Sequence, residues 1–148
     1  MAIELGDEIR GHVNGALMGG HPMIMASVDA DGRPKLSFRG SIQVFSADQL
    51  GFWARNAEGT TAGAIRANPH VALMFRNPAG PVILQFYGQA RVAEGAERDR
   101  VFDLAPEIER KADPEKKGLG MIVDLDRVEG LLGLDAEGGR RFVRMARE

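Results

Sequence analysis

The sequence contains no cysteine and only three histidines, His12, His21 and His70. The absence of cysteine excludes a disulfide scaffold, a cysteine nucleophile and a metal bound by thiolates. Imidazole ligands are too few for the usual zinc sites. We therefore predict a protein without a metal centre.

An excess of charge of one sign is also lacking, since 19 basic residues stand against 21 acidic ones. Without a basic excess we expect neither nucleic-acid binding nor attachment to an anionic membrane. No window approaches the roughly 18 apolar residues of a membrane span, and the N-terminal segment is acidic, unlike a signal peptide. These features predict a cytoplasmic protein that binds a small molecule.

The motifs of several large enzyme classes are absent from the sequence. It contains no G-x-S-x-G, no H-E-x-x-H, no G-x-G-x-x-G and no G-x-x-x-x-G-K-[ST]. Hydrolases with a nucleophile elbow, zinc peptidases, Rossmann dehydrogenases and P-loop enzymes therefore lack their signatures here.

The chain is predicted to form a single domain over residues 1–148, without a linker or an internal repeat. We expect an amphipathic N-terminal helix within 1–19, a core of short strands over 20–92, a helix and an irregular loop over 95–117, and closing strands over 118–148. Turn-forming residues 29–32 predict a hairpin, and Gly88 predicts a bend in a long strand. This order is typical of a mainly β barrel or sandwich with added helices.

Polar and apolar residues alternate along the second predicted strand, residues 35–44. Its polar residues are Lys35, Ser37, Arg39, Ser41 and Gln43. They share one face because successive side chains of a strand point to opposite sides. A solvated sheet face and a ligand groove both fit this pattern, and in a groove Arg39 would hold phosphate oxygens.

A second candidate site lies where residues 56–61 (NAEGTT) precede a short predicted helix. The Thr60 and Thr61 hydroxyls can cap free amide N–H groups, and a helix N-terminus attracts anions. Arg55 or Arg66 would add positive charge. The segment fits a phosphate site and also an ordinary threonine N-cap.

Two further side chains have alternative interpretations. Trp53, the only tryptophan, can pack against a planar cofactor or within the core. His70 has no carboxylate or second histidine at ligand spacing, so we expect a structural or surface role for it.

Three segments occur in a characteristic order: residues 23–35 (MIMASVDADGRPK), 50–55 (LGFWAR) and 60–75 (TTAGAIRANPHVALMF). Together they resemble the pyridoxamine 5'-phosphate oxidase-like superfamily, whose fold is the FMN-binding split barrel. The most specific part is the helix-to-strand passage through Asn68 and Pro69. The resemblance spans residues 20–92, about half of the chain.

This resemblance implies a six-stranded antiparallel split barrel of Greek-key type that forms a homodimer, with flavin sites between the subunits. The implied cofactor contacts are Ser37, Phe38, Arg39, Trp53, Ala54, Thr60, Thr61 and Arg66. In this arrangement the strand with Arg39 follows the flavin ring and ribityl chain, and Thr60 and Thr61 meet the phosphate. Many flavin-binding relatives have a basic residue, often Lys, where Thr61 stands, so the charge would come from Arg39, Arg55 or Arg66 instead.

The resemblance also implies an FMN-dependent oxidoreductase that acts on a small organic substrate. A flavin transfers hydride through its own ring, which is consistent with the missing acid–base motifs. Alternatives on the same fold are an F420-dependent reductase, a haem or biliverdin protein with His21 or His70 as axial ligand, and a non-catalytic flavin-binding protein. Residues 138–148 contain no recognisable substrate segment of a vitamin B6 oxidase, and we assign no catalytic residue.

Overall fold

The structure is a computed structural model that describes residues 2–147. It is mainly β, with four short helices. The elements are α1 (Asp7–Asn14), β1 (Met23–Val28), β2 (Pro34–Arg39), β3 (Gln43–Ser46), β4 (Gln49–Ala54), α2 (Thr60–Ala67), β5 (His70–Asn77), β6 (Val82–Val92), α3 (Gly95–Leu104), α4 (Glu107–Ala112), β7 (Leu119–Leu134) and β8 (Arg140–Ala146).

The strands form one antiparallel sheet of eight strands in the order β2-β1-β5-β6-β7-β4-β3, and β8 pairs with β7. The expectation of six strands is therefore wrong in number. One additional strand arises because the predicted second strand divides into β2 and β3, which pair with different neighbours. The other is β8, which lies within the range of the predicted closing strands but outside the main strand path of the sheet.

The division between β2 and β3 is centred on Ser41. Its buried hydroxyl donates to the Trp53 carbonyl at 3.1 Å and accepts from the Trp53 amide at 2.9 Å. These two bonds attach the β2–β3 connection to β4. The alternation of polar and apolar side chains that begins in β2 therefore does not continue to Gln43. The continuous polar face predicted over residues 35–43 is consequently limited to β2.

The main core lies on the inner face of the sheet. Phe52 and Phe86 are its largest fully buried side chains, and Ile9 and Val13 of α1 join the same cluster. Truncating either phenylalanine to alanine is expected to destabilise the fold by about 3–5 kcal/mol, because a cavity is added to the lost transfer energy. Helix α1 is shorter than expected, since it ends before Gly15.

A smaller cluster of buried side chains lies beneath α3. Its members are Phe45, Trp53, Ala93, Val101, Phe102 and Ile122. After α3 the chain forms α4, where the sequence predicted an irregular loop. Pro106 directly precedes this helix, and Glu107 and Glu109 lie in its first turn, where acidic side chains interact favourably with the helix dipole. Helix α4 buries none of its side chains.

Two structural features bear on the functional class. No helix within residues 2–147 is long and apolar enough to cross a bilayer. Over the same residues, His, Asp and Glu side chains do not assemble in groups of three that could bind a metal ion.

Candidate functional site

Arg39 connects the sheet to the start of helix α2. Its Nη2 donates a hydrogen bond to the Thr61 Oγ1, and its Nε donates to the Ser37 Oγ at 3.2 Å. The structure thus brings together three residues that the sequence had placed in two separate candidate sites. The hydrogen bonds orient the guanidinium of Arg39 toward the first turn of α2.

The first turn of α2 keeps its amide groups free. Gly59 is the N-cap residue, and no side chain accepts a hydrogen bond from the helix start. Within the described chain, the amides of Thr60, Thr61 and Ala62 have no backbone acceptor either. Of the two interpretations of this segment, the ordinary threonine N-cap is not observed: the Thr61 hydroxyl accepts from Arg39, and Thr60 is exposed. Free amides at a helix N-terminus are donors for an anion.

A second arginine and one carboxylate lie beside Arg39. The Arg55 Nε is 3.9 Å from the Glu109 Oε2. The pKa of Arg39 is lowered, first because burial removes water from the guanidinium and second because Arg55 is also positive, while Glu109 acts in the opposite direction. Two cations therefore face one anion, and the excess positive charge favours a negatively charged ligand.

These side chains border a cavity of about 440 Å³. Phe38 and Arg39 of β2 form one side, Arg55 and Asn56 after β4 form another, and Glu109 of α4 covers it. This volume lies within the range of small-molecule sites, roughly 300–1,000 Å³. The cavity combines an apolar wall with a few convergent polar groups, as such sites do.

Trp53 lies mostly behind this cavity. Its indole is buried, its Nε1 donates to the Asp113 carboxylate at 2.8 Å, and Phe102 packs edge-on at 4.9 Å between centroids. The guanidinium of Arg98 covers the ring at 4.8 Å. The indole ring is thus enclosed by protein, and the core interpretation of Trp53 describes it better than stacking on a planar ligand.

The remaining predicted site residues differ in exposure. Ala54 is buried at the end of β4, and Phe38 is 69% exposed. Arg66 is exposed, and its guanidinium donates to the Ala57 carbonyl at 3.4 Å. Neither Arg66 nor Thr61 lines the cavity, but Thr61 is joined to it by the hydrogen bond from Arg39, whereas the guanidinium of Arg66 bonds to Ala57.

None of the three histidines lines this cavity. The rings of His12 and His21 pack near Phe75, at 5.3 and 6.4 Å between centroids. His70 is exposed and borders a separate, largely apolar cleft of about 290 Å³ that also includes Tyr87.

Comparison with known proteins identifies the family. The family model described as "Pyridoxamine 5'-phosphate oxidase" matches residues 9–124. The chain belongs to the pyridoxamine 5'-phosphate oxidase family. This result confirms the resemblance seen in the sequence and extends it beyond residues 20–92.

Solved structures share the fold of this family member at low identity. HupZ from Group A Streptococcus is 21% identical, with a TM-score of 0.62 over 84% of this chain and 93% of its own. An FMN-binding protein from Nostoc punctiforme is 12% identical, with a TM-score of 0.65 over 94% and 93%. A heme binding protein from Mycobacterium smegmatis is also 12% identical, with a TM-score of 0.68 over 93% of this chain but 57% of its own.

Two polar residues of the site in this family member, Glu109 and Asn56, were not predicted from the sequence. Glu109 lies in a segment predicted to be irregular, and no local pattern connects it with Arg39. Asn56 was read only as part of a loop, although its carbonyl accepts from Gly59 and its side chain accepts from the Glu58 amide. Pro106, followed by the acidic residues Glu107 and Glu109, was the signal available in the sequence for α4.

Proposed function

We propose that this protein binds FMN through its phosphate and acts as an oxidoreductase on a small organic substrate. The observation that carries the proposal is the hydrogen bond from Arg39 to Thr61, which brings a partly buried cation to the free amides of α2. The description of the Nostoc punctiforme relative as FMN-binding supports the same ligand.

The residues fit a phosphate monoester in charge and in hydrogen-bonding capacity. Arg39 and Arg55 together exceed the single negative charge of Glu109, and a guanidinium can hold two phosphate oxygens at once. The amides of Thr60 and Thr61 supply further donors without a side-chain charge. Many flavin-binding relatives have a basic residue, often lysine, where this chain has Thr61. Here Arg39 would supply the positive charge instead, since it reaches the same helix from β2.

The other site residues would orient and enclose the ligand. Ser37 accepts from Arg39 and fixes its direction, Phe38 offers an apolar surface to the cavity, and Ala54 is buried beside Trp53 at the end of β4. Trp53 would support the cavity wall by packing between it and the core. A bound flavin supplies hydride and electron transfer through its own ring, so the chain needs to position it and to exclude water.

We further propose that the active form is a homodimer. Large apolar side chains are exposed on the outer face of β2, β5 and β6, which is unusual for a surface that stays in water. They are Leu36, Phe38, Met74 and Ile83. Because Phe38 belongs both to this face and to the cavity, a second copy packed there would close the ligand site.

A direct test is titration of the purified protein with FMN, followed by the fluorescence of the flavin. We expect Arg39→Gln to weaken binding about 30-fold, since hydrogen bonds to charged groups contribute about 1.5–3 kcal/mol. Arg66→Gln is the matched control, and its affinity should stay within about twofold of the unchanged protein. Equal FMN affinity of the Arg39 variant and the unchanged protein would overturn the phosphate assignment.

Two follow-up measurements separate the related functions. Tighter binding of F420 than of FMN would move the proposal to a deazaflavin reductase on the same anion site. If FMN binds but no hydride donor bleaches its absorbance under anaerobic conditions, the protein is a flavin carrier instead of an enzyme.

Haem binding is the second candidate, because exposed His70 borders an apolar cleft. The description of the Mycobacterium smegmatis relative as a heme binding protein supports it. Haemin titration with His70→Ala, and with His12→Ala as the control, tests this candidate. An unchanged Soret band in the His70 variant would reject His70 as the axial ligand.

A further inference from the structure

The carboxylate of Glu109 lies inside the cavity that the ligand anion would enter. Its side chain is only 19% exposed, and its Oε2 is 3.9 Å from the Arg55 Nε. A Cβ added at Gly40 would lie 2.6 Å from the Glu109 Oε1. The carboxylate therefore packs directly on the backbone of Gly40, in space that a larger residue would share with it.

Core packing does not hold Glu109 in this position. Helix α4 buries none of its side chains, and Arg110 in its last turn donates to the carbonyls of Asp103 and Ala105, which precede the helix. The attraction on Glu109 is electrostatic, since its neighbours in the cavity include Arg39 and Arg55. A carboxylate held by charge can be displaced by an anion that the same charges attract more strongly.

We propose that Glu109 sets the affinity and the charge selectivity of this site by acting as an internal anion that a phosphate monoester must displace. In the ligand-free protein its carboxylate neutralises part of the positive charge of Arg39 and Arg55. A phosphate monoester carries about −1.5 to −2 at pH 7 and outcompetes a single carboxylate, whereas a monoanion does not. The inference rests on the proposed phosphate site, and it adds the residue that excludes weaker anions from it.

The experiment compares two substitutions on the same helix that remove the same charge. Glu109→Gln removes the competing carboxylate, and Glu107→Gln is the matched control because Glu107 is 69% exposed and pairs with Lys111. Dissociation constants are measured for FMN by flavin fluorescence and for inorganic phosphate and acetate by calorimetry. Circular dichroism verifies folding, and Glu109→Ala is the second variant if the glutamine variant is misfolded.

We expect Glu109→Gln to bind inorganic phosphate and FMN about tenfold more tightly than the unchanged protein, because one repulsive charge is removed at short range. Acetate should bind measurably only to this variant. Glu107→Gln should stay within about twofold for every ligand, since an exposed charge is screened. Equal gains in ligand affinity in the two variants would mean that only the net charge of the protein matters, and this would overturn the inference.

Failure of the inference and failure of the FMN proposal give different results. If the unchanged protein binds FMN and Glu109→Gln binds it no more tightly, the FMN site stands and Glu109 has no such role. If Glu109→Gln gains affinity for inorganic phosphate while no variant binds FMN, Glu109 keeps its role and the flavin is rejected. Absence of binding by any variant at millimolar phosphate overturns both.

Discussion

The indole N–H of Trp53 donates a 2.8 Å hydrogen bond to the carboxylate of Asp113. The same carboxylate accepts from the amides of Lys117 and Gly118 at 3.0 and 2.8 Å. One buried acidic side chain thus ties the segment after α4 to strand β4. Since α4 carries Glu109 over the cavity, this anchor also positions the cavity's cover.

Removal of this anchor should destabilise the protein measurably. Asp113→Ala leaves the buried indole N–H and the Gly118 amide without acceptors, and we expect a loss of about 2–3 kcal/mol in the free energy of unfolding. Urea denaturation measures it. Glu115→Ala is the control, because its ion pair with Lys117 is exposed and should contribute less than about 0.5 kcal/mol. Similar midpoints for the two variants would contradict the anchoring role.

The same carboxylate predicts a pH dependence. Burial acts to raise the pKa of Asp113, but hydrogen bonds from Trp53, Lys117 and Gly118 and the charge of Arg98 outweigh it, so the pKa lies below its ordinary value of 3.8. A pKa that is lower in the folded than in the unfolded protein adds stability at pH values above the unfolded-state pKa. This stability is lost as the pH falls through the folded-state pKa.

Asp113→Asn should therefore differ most from the unchanged protein above about pH 4, and the difference should shrink at lower pH. Chemical denaturation at a series of pH values from about 2 to 7 tests this. A constant difference across the series would show that ionisation of Asp113 does not contribute to stability.

The two neighbouring threonines of α2 should respond differently to substitution. Thr61 is buried and accepts from Arg39, whereas Thr60 is exposed. Thr61→Ala should weaken FMN binding about fivefold, which corresponds to one hydrogen bond of about 1 kcal/mol. Thr60→Ala should change it less than about twofold, and Thr61→Ser should restore the affinity. An equal loss in both alanine variants would indicate that Thr61 does not act through Arg39.

Local patterns in the sequence predicted the parts of the fold that depend on neighbouring residues. The turn at 29–32 joins β1 and β2, and Gly32 has a positive φ of 78°. The bend predicted at Gly88 is confirmed as a register shift between β6 and β7. A Cβ at Gly88 would lie 2.3 Å from the Asp124 carbonyl oxygen, so close approach of the strands explains this glycine.

Contacts between distant segments decided what the sequence did not predict. The alternation over residues 35–44 contains no local sign that Ser41 bonds to Trp53 and ends β2. Likewise, closing strands were predicted over 118–148, but the 16-residue length of β7 was not, because it depends on the pairing of β6 and β8 along it. Ser37, Arg39 and Thr61, which the structure brings into contact, were singled out from the sequence because each lies in a patterned segment. Glu109 reaches the site only through the tertiary fold.

The exposed apolar face predicts self-association. We expect the unchanged protein to sediment as a dimer, and Phe38→Asp to sediment as a monomer, because the new carboxylate would be buried without a partner. Ile108→Asp is the control, since Ile108 is 65% exposed but belongs to α4 and not to the strands that form this face. A monomeric unchanged protein at micromolar concentration, or a dimeric Phe38 variant, would reject the proposed interface.

Phe38 and Arg39 are adjacent on β2, and this adjacency links two equilibria. One residue belongs to the face that a second copy would cover, and the other contacts the helix that would hold the phosphate. If dimerisation increases the affinity for the ligand, thermodynamic linkage requires that ligand binding increase the affinity of dimerisation by the same factor. Cofactor supply would then regulate assembly, and sedimentation with and without FMN at the same protein concentration measures the coupling.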